Sequence, residues 1–128
     1  MSYNILIVDD SATTRAMIAR TIKLAELPIA NIFEAGDGQA ALDLLECISV
    51  DLVLADLNMP VMGGVEMTHR MRSQESTRDI PVVVVSAEPN IDRLTQLADD
   101  GIQGYIRKPF TPENVRNVIT HVIGGVHA

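Results

Sequence analysis

Asp9 and Asp10 directly follow an apolar run, Ile5-Leu6-Ile7-Val8, and Asp56 follows another, Leu52-Val53-Leu54-Ala55. A third run, Pro81-Val82-Val83-Val84-Val85, leads into Ser86, Ala87 and Glu88, while Gly104-Tyr105-Ile106 leads into Arg107, Lys108, Pro109 and Phe110. Carboxylates gathered at one point raise one another's pKa unless a cation intervenes. Mg²⁺ suits such a cluster, because it takes a few oxygen ligands, keeps several waters and shares a substrate phosphate. Lys108 adds a fixed positive charge and Ser86 a hydroxyl. A set of this kind can transfer a phosphoryl group: a carboxylate attacks in line while cations neutralise the equatorial oxygens. Singly, each residue has an ordinary role as a helix cap, a surface lysine or a turn serine. Their recurrence at four strand ends is what points to a site.

The elements that must position these groups are legible in the pattern. The three longer apolar runs are unbroken, as strands covered on both faces are, which predicts a parallel sheet between helical layers. Asn31-Ile32-Phe33 and Gly104-Tyr105-Ile106 are shorter and flanked by polar residues, as edge strands tend to be. Between the strands, apolar residues recur at helical spacing: Ile18, Ile22 and Ala25; Ala41, Leu44, Leu45 and Ile48; Met67, Thr68 and Met71; Ile91, Leu94, Leu97 and Ala98; Val115, Val118, Ile119 and Val122. Asp37 is placed to cap the second helix, Thr111 with Pro112 to open the fifth, and Gly101 to end the fourth. Five β-α units predict an α/β fold with a doubly wound, five-stranded parallel sheet in the order 2-1-3-4-5. In that topology a site forms where the carboxyl ends of the strands meet, and the polar groups fall there.

The bulk properties set limits. A chain of 128 residues suits one domain, with a core over about 3–123 and a frayed tail over 124–128. Ten Lys+Arg against 17 Asp+Glu give a net charge of -7, so this domain is expected to bind neither nucleic acid nor an anionic membrane. The single cysteine, Cys47, can form no internal disulfide. The four apolar residues ahead of Asp9 are too few for a signal peptide or a membrane span. A cytoplasmic protein without membrane insertion is expected.

Other motifs read weakly. Gly36-Asp37-Gly38-Gln39-Ala40-Ala41 matches a dinucleotide-binding pattern, but it follows the second strand and puts Asp37 where a pyrophosphate would sit. A turn with a helix cap is the better reading. A phosphatase with Asp9 as nucleophile in an Asp-x-Asp motif would need an acid at position 11, where Ser11 stands. His69 and His121 lie singly on predicted helices, and His127 lies in the tail.

The markers Ile5-Leu6-Ile7-Val8-Asp9-Asp10, Glu34-Ala35-Gly36-Asp37-Gly38, Asp51 to Pro60, Gly63-Gly64, Pro81 to Ala87 and Gly104 to Phe110 together resemble the response-regulator receiver domain (CheY-like) of two-component signalling systems, over roughly residues 3 to 123. The resemblance implies a flavodoxin-like fold and a role for each residue. Asp56 is the implied phosphoacceptor. Asp10, Asp56 and the backbone carbonyl of Asn58 are the implied Mg²⁺ ligands, with Asp9 acting through water. Ser86 and Lys108 would contact the phosphoryl oxygens, and Ser86 with Tyr105 would form the switch. Asn58 and Glu88 would tune access of the hydrolytic water, giving a short to moderate phosphate lifetime. The Lys108–Pro109 bond is expected to be cis. Ser86 stands where threonine is commoner, which keeps the hydroxyl and loses a methyl. A histidine kinase or phosphotransfer protein is the implied donor and a downstream protein the implied target, met by the fourth helix, fifth strand and fifth helix. The chain would catalyse only its own phosphotransfer and dephosphorylation. Two rival readings are a receiver that is never phosphorylated and a flavin- or dinucleotide-dependent oxidoreductase. The intact acid–serine–lysine set opposes the first. The lack of a phosphate-cradling loop after the first strand opposes the second.

Overall fold

The computed structural model describes residues 2–87 and 91–127. Five parallel strands alternate with five helices: β1 (Tyr3–Val8), α1 (Ala12–Leu24), β2 (Ile29–Ala35), α2 (Gly38–Leu45), β3 (Leu52–Ala55), α3 (Gly64–Arg72), β4 (Val82–Ser86), α4 (Ile91–Asp99), β5 (Gly104–Arg107) and α5 (Pro112–His127). The sheet order is β2-β1-β3-β4-β5, as the five β-α units predict. Glu88 lies outside the described residues.

The unbroken apolar strands have a two-sided explanation. Leu6, Val8, Val53, Ala55, Val82 and Val84 face one core with α2, α3 and α4 residues such as Ala41, Met67 and Leu97. Their neighbours Ile5, Ile7, Leu52, Leu54, Val83 and Val85 face the other, with Ile18 and Ile22 of α1 and Val115 and Ile119 of α5. Side chains alternate across a strand, so a run buried on both faces has no polar position. Apolar patterning alone therefore cannot fix register. Polar residues at the strand ends do. Asp51 donates its N–H to Asn4 O (2.8 Å) and accepts the Asn4 N–H at Oδ2 (2.8 Å), clipping the start of β3 to β1. A one-residue slip would also draw Asp51 or Asp56 into the sheet, at the cost of burying a charge.

Helix ends follow their caps. Asp37 Oδ1 accepts the Ala40 N–H (2.8 Å), and Thr111 Oγ1 accepts the Asn114 N–H (3.1 Å) with Pro112 first in α5. Gly101, at φ 88°, stops the chain after α4. Gly101 N–H donates to Ala98 O and Ile102 N–H to Leu97 O, both at 3.1 Å, the paired bonds of a Schellman ending with Ile102 and Leu97 buried together. Two expectations are corrected. α2 stops at Leu45 and Ile48 lies past it, because Glu46 and Cys47 donate to carbonyls three residues back and tighten the last turn. The tail expected to fray from Gly124 is instead the last turn of α5, which continues to His127. Val122 and Ile123, 5% exposed each, anchor the helix just before the glycine pair, so propagation there needs no new nucleus. Among the described residues no helix is long and apolar enough to cross a membrane.

Candidate functional site

β1 bonds to both β2 and β3, so the winding direction changes at β1 and opens a crevice past its carboxyl end. Asp9 and Asp10 leave β1 there, Asp56 leaves β3, and Lys108 follows β5. Ligand oxygens of Asp9, Asp10 and Asp56 all lie within 4.8 Å of one another. Lys108 Nζ closes the other side, 3.6 Å from Asp9 Oδ2 and 3.9 Å from Asp56 Oδ2. Ser86, at the end of β4, is buried, and its carbonyl accepts both the Lys108 N–H (2.9 Å) and the Tyr105 hydroxyl (2.9 Å). The Lys108–Pro109 peptide is cis, as expected.

The three carboxylates sit differently. Asp9 is buried, Asp56 half-buried and Asp10 exposed. Burial is the main cause that holds the Asp56 pKa above the ordinary carboxylate value. Lys108 works against it, Asp9 adds to it, and the backbone N–H groups of Leu57 and Asn58 oppose it. Leu57 N–H donates to Asp56 Oδ1 at 2.8 Å, leaving Oδ2 on the Lys108 side. Asn58 is exposed in the loop that follows. A cluster of hard oxygen donors without cysteine or histidine fits Mg²⁺ and not a thiophilic metal. Of the residues expected from sequence, Asp9, Asp10, Asp56 and Lys108 meet in one crevice, Ser86 and Tyr105 are joined through the Ser86 carbonyl, and Glu88 lies outside the described residues.

Three features escaped the sequence reading. Gly38 is no phosphate cradle: its N–H donates to Met62 O (2.9 Å), and a Cβ there would meet Met62 at 2.8 Å. It packs the start of α2 onto the loop between β3 and α3. Arg15 reaches back from α1 to the Asp9 carbonyl and to Glu34. Its one outward sign is a base near a helix N-terminus, where the helix dipole disfavours it. His69, single on its helix in the sequence, is exposed and bonds Asp100 Oδ1 at 3.1 Å.

Val61, in the same loop, adopts φ 66° and is 81% exposed. A β-branched residue is strained there, whereas asparagine tolerates this region. With no packing to lose, Val61→Asn is expected to stabilise the protein by about 1 kcal/mol, a rise of roughly 3–6 °C in a thermal melt. An unchanged or lower midpoint would refute the strain.

The family model described as the response regulator receiver domain matches residues 5–120. The chain is 35% identical over 123 residues to the chemotaxis protein CheY of Pseudomonas aeruginosa, covering 96% of this chain and 98% of that one. It is 34% identical to CheY-3 of Vibrio cholerae, covering 94% of this chain and 92% of the relative. The solved structure of CheY4 of Vibrio cholerae superposes with a TM-score of 0.84 at 29% identity, covering 95% of this chain and 99% of that one. The chain belongs to the response-regulator receiver domain family. Within it the chain is CheY-like, in sequence and in its flavodoxin-like fold.

Proposed function

We propose that residues 1–128 work as one Mg²⁺-dependent phosphoacceptor switch, with Asp56 taking a phosphoryl group from a histidine kinase or phosphotransfer protein. The observation that carries this reading is the crevice itself, where Lys108 Nζ faces the Asp9 and Asp56 carboxylates from across the site. Asp56 Oδ2 attacks the phosphorus of the partner's phosphohistidine. A P–O bond forms as the P–N bond breaks, and the electron pair leaves on the imidazole nitrogen. Leu57 N–H holds the other carboxylate oxygen, and Lys108 and the Ser86 hydroxyl receive the phosphoryl oxygens. Asp9, Asp10, Asp56 and the Asn58 carbonyl would hold Mg²⁺, which when bound neutralises the carboxylates and polarises a phosphoryl oxygen. Asn58, with Glu88, governs water access during hydrolysis.

The switch is read from Ser86. Its carbonyl links Lys108 and Tyr105, so a shift of Ser86 toward the phosphoryl group perturbs both. Tyr105 also lines a cleft of about 190 Å³ with Leu97, Ala98, Ile102, Gln103 and Gly104 between α4 and β5, into which its ring can turn. The two arrangements differ in their contacts to the phosphoryl oxygens, which is what shifts their populations. The α4–β5–α5 face then presents the change to a downstream protein.

One experiment reads both claims. Acetyl phosphate with Mg²⁺ is expected to add about 80 Da to the intact protein and to move amide resonances over 104–112. No mass gain would sink the phosphoacceptor reading. A mass gain with shifts confined to residues 9–10 and 56–58 would sink the switch alone.

A further inference from the structure

Every polar atom of Asp9 is engaged. Its N–H donates to Ala35 O (3.1 Å), Oδ1 accepts the Ser11 N–H (2.8 Å), and Oδ2 faces Lys108. Its carbonyl accepts Arg15 Nη1 at 2.6 Å. That carbonyl belongs to the peptide unit joining Asp9 to Asp10, and the unit is planar. Fixing the direction of the C=O therefore fixes the direction of the Asp10 N–H and constrains where the Asp10 side chain leaves the backbone. Asp10 is exposed, so packing does little to hold it. Arg15 is itself held: its Nε donates to Glu34 Oε1 at 2.9 Å, and its side chain is only 20% exposed. Two donors of one rigid guanidinium thus tie α1 to the end of β1 and to β2.

We infer that Arg15, oriented by Glu34, is a positioning residue that sets the Asp9–Asp10 peptide plane and so presents the Asp10 carboxylate to Mg²⁺. The inference rests on the Mg²⁺-dependent reading above. Groups that orient metal ligands from outside the coordination sphere change metal affinity when removed, even though they never touch the ion. A rival account exists, in which Arg15 and Glu34 act only through their charges on an acidic pocket. The two accounts differ for Glu34→Gln, which keeps an acceptor oxygen for Arg15 but loses the charge, and Glu34→Ala, which loses both.

The test titrates MgCl₂ into the full chain and follows the amide resonances of residues 9–11 and 56–58, with thermal melts alongside. Arg15→Met and Glu34→Ala are expected to weaken Mg²⁺ binding about 10-fold, with Glu34→Gln remaining within about twofold of the wild type. Equal weakening by Gln and Ala at position 34 overturns positioning in favour of charge. Wild-type response with every variant unchanged overturns the inference while leaving the metal reading intact. No Mg²⁺ response in the wild type removes both. If Arg15→Met fails to fold, the two Glu34 variants still decide.

Discussion

Asp56→Asn protein incubated with acetyl phosphate and Mg²⁺ is expected to stay at its unmodified mass, under conditions in which the wild type gains about 80 Da. An amide is a poor nucleophile toward phosphorus, and no second carboxylate occupies the same place: Asp9 Oδ1 is taken by the Ser11 N–H, and Asp10 is exposed. Removing Mg²⁺ with EDTA should suppress wild-type labelling as well, because the carboxylates then repel the incoming phosphoryl group. Labelling of the variant equal to that of the wild type would sink the assignment. The same substitution has an opposite effect on stability. Burial, with the Asp9 charge adding to it, holds the Asp56 pKa above its ordinary value despite Lys108 and two backbone N–H groups. A carboxyl whose folded pKa exceeds its unfolded one binds its proton more tightly when folded, so its ionised form costs stability. That cost is present at neutral pH and fades as pH falls through the raised value toward the ordinary one. In EDTA at pH 7, Asp56→Asn is expected to melt above the wild type. The gap should narrow in acid. A variant that melts lower at pH 7 would show that the Lys108 attraction outweighs desolvation.

Those carboxylates were legible because each ends an unbroken apolar run, and such runs are what two-sided burial in a parallel sheet demands. Asp37, Thr111 and Gly101 were legible for a local reason: a cap satisfies backbone groups within a few residues of itself. What stayed hidden depends on partners far along the chain. Arg15 and Glu34 are 19 residues apart, and nothing in their spacing shows that one guanidinium reaches both Glu34 and the Asp9 carbonyl. Tyr105 could be placed near the site by its distance from Lys108, but the acceptor of its hydroxyl, the Ser86 carbonyl, depends on how β4 and β5 pair. The end of α5 was not legible because what holds the helix beside the glycine pair is the burial of Val122 and Ile123, which depends on how α5 packs on the sheet.

Gly64 shows propensity and packing in direct opposition, and the expected result is large. By helix propensity, Gly64→Ala at the first position of α3 should help slightly, since alanine is favoured over glycine in helices. A Cβ at Gly64, however, would run into the Asp56 carbonyl oxygen and lie 3.5 Å from Leu57 Cα. Neither side can give easily. Asp56 N–H is bonded to Val8 O (3.0 Å), Gly64 N–H to Leu57 O (3.0 Å), and the buried Thr68 hydroxyl to Gly64 O (2.7 Å). Backbone overlap of this kind exceeds what a flexible side chain could absorb, so packing wins. Gly64→Ala is expected to lose about 3 kcal/mol, lowering the melting midpoint by roughly 10 °C. The matching control is Gly36→Ala, where a Cβ has nothing within 4 Å, and it should melt within a degree or two of the wild type. Phosphorylation of Gly64→Ala should also slow below its melting range, because α3 can only back away by carrying the Asp56 loop with it. A Gly64→Ala protein that melts with the Gly36→Ala control and labels at the wild-type rate would show that α3 does not press on the Asp56 carbonyl.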